Sequence, residues 1–112
     1  MELLVFILND SNQLEKIMVE FANLDIKGST IIDSVGMANV LSGCEELSIF
    51  SSLNMLTNKG RTSNVTVLTV LKKEKINQAL AVINDVTGGL DKAGTGIAFT
   101  IPLGQVIGGS FN

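Results

Sequence analysis

Two strand–helix–strand units lie either side of one long connection in this 112-residue chain, and that order limits the fold more tightly than any single motif. The first unit runs from a strand at residues 2–10, through an amphipathic stretch ending near Leu24, to a strand at 27–35. The second runs from a strand at 64–73, through an amphipathic stretch ending at Val86, to a strand at 96–103 entered from the glycine-rich turn TGGLDKAGTG. A repeat of this type predicts an α+β fold in one domain over residues 1–112: a four-stranded antiparallel sheet with two helices on one face, the split βαβ-βαβ sandwich called ferredoxin-like.

Local patterns support each element. Leu3, Val5 and Ile7 point one way along the first strand and Leu4, Phe6 and Leu8 the other, so both faces are apolar and the strand is expected to be central and covered on both sides. Asp10 or Ser11 can cap the helix that follows, which carries Leu14, Ile17, Met18 and Phe21 on one face and Glu15, Lys16 and Glu20 on the other. Lys27-Gly28 turns the chain into the β-branched run Thr30, Ile31 and Ile32, which Gly36 ends. In the second unit Val65, Val67 and Thr69 alternate with Thr66, Leu68 and Val70. Ile76, Ala79, Leu80 and Ile83 follow at helical spacing, and Gly88-Gly89 stops that helix. Pro102 has no N–H for a ladder, which predicts an edge strand or a bend there, and Gln105-Val106-Ile107 is a short segment able to resume pairing beyond it.

Composition removes several classes of function. Hydrophobic residues make up 46% and charged residues 17%, which would leave a monomer short of surface charge and points to burial against other copies of the chain. The longest uninterrupted apolar run, residues 3–8, is too short to cross a bilayer and no basic segment precedes it, so a soluble, cytoplasmic protein without membrane insertion is expected. Net charge is -3, and Trp and Tyr are absent, which argues against a nucleic-acid partner. The single cysteine, Cys44, cannot form an internal disulfide and suits a reducing compartment. With no histidine, the usual zinc sites and the Ser-His-Asp and Cys-His pairs are excluded. Glu45 and Glu46 read as a solvated loop, Asp33 as an ordinary polar position on a sheet, and Cys44 as an idle thiol, so no catalytic residue, metal ligand or enzymatic activity is assigned. Lys72, Lys73 and Lys75 cluster at the start of the second helix, where the macrodipole disfavours cations; they form either an anion site or a soluble corner.

The connection between the units, residues 36–61, is too long for an ordinary loop and too apolar to be only solvated. Leu47, Phe50 and Leu53 recur at three-residue spacing ahead of Asn58-Lys59-Gly60, which predicts a short helix. That helix either packs on the domain's own sheet or offers a docking surface for a partner through those three residues.

Three stretches, in this order and spacing, resemble the nitrogen regulatory protein P-II family and its P-II-like relatives. They are Asp25-Ile26-Lys27-Gly28-Ser29-Thr30 at the entry to the second strand, Thr87-Gly88 closing the second helix, and Lys92-Ala93-Gly94-Thr95-Gly96 leading into Ile97-Ala98-Phe99, with Val106-Ile107 beyond. The resemblance covers nearly all of the chain outside residues 37–62. It implies a homotrimer of ferredoxin-like subunits with ligand clefts between neighbours, and a long loop that touches a target such as a transporter or a metabolic enzyme. It further implies adenine nucleotide as the candidate effector, bound by Gly36, Met37, Ala38, Gly88, Lys92, Gly94, Thr95 and Gly96.

The chain departs from the family where phosphate is held. The family's turn usually runs Gly-Asp-Gly-Lys, whereas this chain has Gly94-Thr95-Gly96-Ile97, and the basic residues usual on the closing strand are replaced by Gln105, Gly108 and Ser110. A buried triphosphate needs cations, and Lys92, Lys59 and Arg61 are those left. Ala38 and Val40 stand where the family has its second loop glycine and its glutamine, which argues against 2-oxoglutarate sensing, and the family's modifiable tyrosine is absent. A regulatory module that binds a small anionic effector is therefore the first expectation. The alternative is a structural or interaction trimer that has lost its effector.

Overall fold

A computed structural model of the chain describes residues 1–42 and 64–111. The expected short helix built on Leu47, Phe50 and Leu53 lies outside these residues, as do Cys44, Glu45, Glu46, Lys59 and Arg61. The described elements are β1 (Glu2–Leu8), α1 (Leu14–Asn23), β2 (Ser29–Ser34), α2 (Met37–Ser42), β3 (Asn64–Leu71), α3 (Ile76–Thr87) and β4 (Gly96–Pro102), with a short 3-10 turn leading into α1 and another into α3. They form an α+β fold around one four-stranded sheet of order β2-β3-β1-β4, every neighbouring pair antiparallel. β1 is thus an inner strand, as its two apolar faces predict, while β2 and β4 are the outer ones.

Alternation in β3 is reproduced residue by residue: Val65, Val67, Thr69 and Leu71 are buried and the residues between them half-buried. Directly opposed residues of antiparallel strands share a face. Leu4, Phe6 and Leu8 of β1 accordingly join Val65, Val67 and Leu71 of β3 in one core, together with Ile17 and Phe21 of α1 and Ala79 and Ile83 of α3. Phe6 and Phe21 meet edge to face with centroids 5.8 Å apart, an arrangement favoured by the ring quadrupole. Each such fully buried side chain contributes about 1.5–3 kcal/mol. Thr69 is the buried polar side chain of this face, and its hydroxyl is satisfied by Ser29 Oγ at 2.7 Å across the β2–β3 pair.

The caps explain where the helices begin and end. The Asp10 carboxylate accepts the Asn12 amide at 3.0 Å and opens the turn into α1. At the far end of α3, Gly88 takes the left-handed conformation (φ 84°) and returns its amide to Asn84 O at 3.0 Å, which is the glycine-terminated helix end that the Gly88-Gly89 pair predicts.

Three local expectations are corrected. β2 spans Ser29–Ser34 rather than the expected 27–35, and the Gly36 carbonyl accepts the amides of Asn39 and Val40 as α2 starts. Gln105-Val106-Ile107 does not resume pairing: beyond Pro102 the described tail is irregular, and Ile107 is 94% exposed. The second face of β1 is less covered than its composition suggests. Leu3, Val5 and Ile7 oppose Ile101, Phe99 and Ile97 of β4, and those three side chains remain 44%, 42% and 55% exposed while Ala98 between them packs on the core.

Candidate functional site at the glycine turn

Residues 88–96 connect α3 to β4, and their fold follows from hydrogen bonds made inside the turn. Thr87 Oγ1 donates to Ile83 O at 2.7 Å and accepts the Gly89 amide at 3.3 Å. The Leu90 amide donates to Asn84 Oδ1, the Lys92 amide to Gly89 O and the Thr95 amide to Lys92 O. From β1, Asn9 Nδ2 donates to Gly94 O at 2.8 Å and its backbone amide to Thr95 O at 3.3 Å. The turn is therefore preformed and anchored on the end of the central strand. Among the described residues, no protein acceptor takes the amides of Ala93 and Gly94.

Gly96 is required by contact. At φ 151°, a Cβ built there would lie 2.2 Å from Ile7 O, far inside any tolerable separation, so the turn can dock on β1 only with glycine at this place. Lys92 folds back over Gly88, its Nζ 3.7 Å from where a Gly88 Cβ would stand, while Asp91 Oδ1 lies against Gly89 in the same way at 2.6 Å. The turn thus presents one ammonium and one carboxylate beside two available amides. Such a set can hold a single oxyanion through backbone N–H groups, but it does not offset a polyphosphate by itself.

Five of the eight residues expected to bind ligand, Gly88, Lys92, Gly94, Thr95 and Gly96, come together in this turn. Gly36, Met37 and Ala38 stand at the same end of the sheet, where β2 finishes and β4 starts, yet on its opposite edge. Three strand spacings separate the two groups, about 14 Å. One chain does not bring them onto one small ligand. Met37 is 74% exposed and, with Val35 and Val40, forms an apolar surface at the root of the 37–62 connection. Asn9 was not singled out by sequence reasoning; the signal was a side-chain amide placed where an apolar strand stops.

A second cluster of charge sits at the other end of the sheet. Lys75 Nζ donates to Leu24 O at 2.8 Å and to Asp25 O at 3.2 Å, fixing the exit of α1, and Lys27 Nζ lies 3.1 Å from Asp25 Oδ1. The hydrogen bond from Lys27, reinforced by its charge, holds the Asp25 carboxyl below the ordinary carboxylate range. No helix among the described residues is long and apolar enough to cross a membrane.

Compared with known proteins, the chain matches no protein-family model and no curated sequence.

Proposed function

We propose that this chain is a P-II-like regulatory module that assembles as a homotrimer, binds a small anionic effector between subunits and acts on a target protein through residues 37–62. The element order, with strand order β2-β3-β1-β4 and both long helices contributing to one core, supports the ferredoxin-like sandwich with its helices on one face. The observation that carries the functional reading is the placement of the glycine turn and the root of the long connection at one end of the sheet but on opposite edges. A ligand touching both must lie between copies. The apolar face of Ile97, Phe99 and Ile101, flanked by the half-buried Leu3 and Ile7, is the surface those copies would bury.

Within this reading Lys92 and the amides of Ala93 and Gly94 hold the anionic end of the effector, with an adenine nucleotide as the first candidate. Gly36 and Ala38 from a neighbour close the cleft, and Met37 couples occupancy to the loop. No side chain of the cleft is assigned a chemical step; the module is a binding protein, not an enzyme, in the cytoplasm. The regulated target is of the transporter or metabolic-enzyme class.

A second reading, an interaction trimer without effector, is favoured by the internal hydrogen bonding of the turn and by its balanced charges. Thermal unfolding of the assembled protein against ATP, ADP, AMP, cyclic dinucleotides, 2-oxoglutarate and bicarbonate separates the two. A ligand at about 100 times its dissociation constant adds about 2.7 kcal/mol. The sensor reading requires such a shift with one compound, and its loss in Lys92→Gln without loss of the oligomer. Full stability with no shift for any compound favours the interaction trimer, and a monomer in light scattering overturns both.

A further inference from the structure

The chain returns to itself after β4. The tail leaves Pro102 with the Leu103 amide donating to Met1 O at 3.2 Å, crosses the end of the sheet, and brings Ser110 and Phe111 against Asp25, Ile26 and Lys27. Between them is a cleft of about 330 Å3 lined by Lys27, Gly28, Gly109, Ser110 and Phe111. It adjoins a recess of about 20 Å3 that Lys72 and Lys75 also line. We propose that this cleft is an anion site, separate from the glycine turn, for a small phosphate-bearing ligand.

Charge is the first argument. Three lysines, Lys27, Lys72 and Lys75, line the recess against a single acidic residue, Asp25. The glycine turn at the opposite end, by contrast, has one cation and one anion. Lys27 is paired with Asp25, whereas Lys72 and Lys75, three residues apart at the entry to α3, have no carboxylate partner among the described residues, and a dianion beside them relieves their mutual repulsion.

Preorganisation is the second. Lys75 is held by two carbonyls and keeps one N–H of its three for an external acceptor. Those carbonyls belong to Leu24 and Asp25, and Asp25 is in the left-handed conformation at φ 60°, which is uncommon for a residue other than glycine. Lys72 and Ser110 line the same recess. Phe111 and Val70 form an apolar wall beside these groups. The recess has room for one oxygen of an oxyanion, and the cleft is at the lower end of the range of about 300–1,000 Å3 in which small molecules bind. A ligand with one phosphate oxygen in the recess, and the rest of the phosphate and an apolar or sugar body in the cleft along Phe111, matches both volumes. The lysines at the start of α3 oppose the helix dipole, so a bound anion also removes that misfit.

The test is a pyrophosphate titration of the 15N-labelled protein at physiological ionic strength, with Lys72→Gln, Lys73→Gln and Lys92→Gln alongside. Lys72 is chosen over Lys75, whose removal would also release the exit of α1. The expected result is saturable shifts at the amides of Lys27, Gly28, Lys72, Ser110 and Phe111. Lys72→Gln should weaken binding about fivefold, the upper end for a solvent-accessible ion pair, with Lys73→Gln and Lys92→Gln unchanged. Absence of saturable shifts at millimolar pyrophosphate overturns the proposal. Equal weakening by Lys73→Gln also overturns it, by revealing diffuse attraction, and loss of binding with Lys92→Gln alone returns the ligand to the glycine turn.

Discussion

Alanine at Gly96 should be far more damaging than alanine at the other exposed or half-buried glycines, because it fails for two reasons at once. The added Cβ would stand 2.2 Å from Ile7 O, more than an ångström inside ordinary contact at 3.4 Å, and the obstacle is backbone of the central strand rather than a side chain that can swing away. Relief requires β4 to shift from β1 where Gly96 pairs with Leu8, loosening the Asn9–Thr95 bond next to it. A lost hydrogen bond costs about 1 kcal/mol, a left-handed conformation about 1–2 kcal/mol, and the strand displacement adds packing loss. The expected total is about 3–5 kcal/mol, or a fall in Tm of about 12–20 °C for a domain of this size. Gly88→Ala isolates the conformational term, since φ is 84° but the nearest atom, Lys92 Nζ, is at ordinary distance; about 1 kcal/mol is expected. Gly104→Ala, with nothing within 4 Å and no left-handed φ, should be neutral or stabilising by about 0.5 kcal/mol. Urea unfolding followed by circular dichroism, at fixed protomer concentration, measures the series; the chain has no Trp to report by fluorescence. Equal losses at Gly96 and Gly88, with unchanged urea dependence, would refute the close-approach argument.

The remaining expectations address other features of the molecule. Ser29→Ala should destabilise by about 1–2 kcal/mol by leaving the Thr69 hydroxyl buried without its partner, and adding Thr69→Val should recover most of that loss; a double variant no better than the single one would contradict the pairing. Phe99→Asp places charge on the apolar sheet face and should convert an oligomer to monomer in light scattering while the far-ultraviolet spectrum stays native; an unchanged mass would remove this face from the proposed interface. For pH, the folded carboxyl of Asp25 titrates below its ordinary value of 3.8, so its interaction with Lys27 stabilises above that value and is lost as pH falls through the depressed one. Asp25→Asn should therefore flatten the acid limb of the stability curve in that window alone, and an equally steep limb in the variant would show that the pair contributes nothing.

Elements were legible in this sequence because their signals are local. The two-residue alternation of Val65, Val67 and Thr69 and the helical spacing of Ile17 with Phe21 and of Ala79 with Ile83 required only a backbone period, and each faces the core. The Gly88 cap and the edge position of the strand bearing Pro102 were likewise readable from one or two residues. The start of α2 at Met37 was not, because a six-residue helix carries too little periodicity to stand out from a loop. Of the candidate site, the sequence supplied the glycine turn, but not Asn9, whose bonds to Gly94 and Thr95 join residues far apart in the chain.

Periodicity and turn chemistry thus determined the strands, the two long helices and the boundaries between them. Only the tertiary structure decided what meets. Strand order separates Gly36 from Gly94 by the width of the sheet although both flank it at one end, and β2–β3 pairing brings Lys27 near Lys72 and Lys75 in a recess that the tail also lines. It also leaves Ile97, Phe99 and Ile101 uncovered within a single chain. These outcomes depend on which strand lies beside which, and no residue encodes that choice locally: it emerges from packing two helices and four strands around one core.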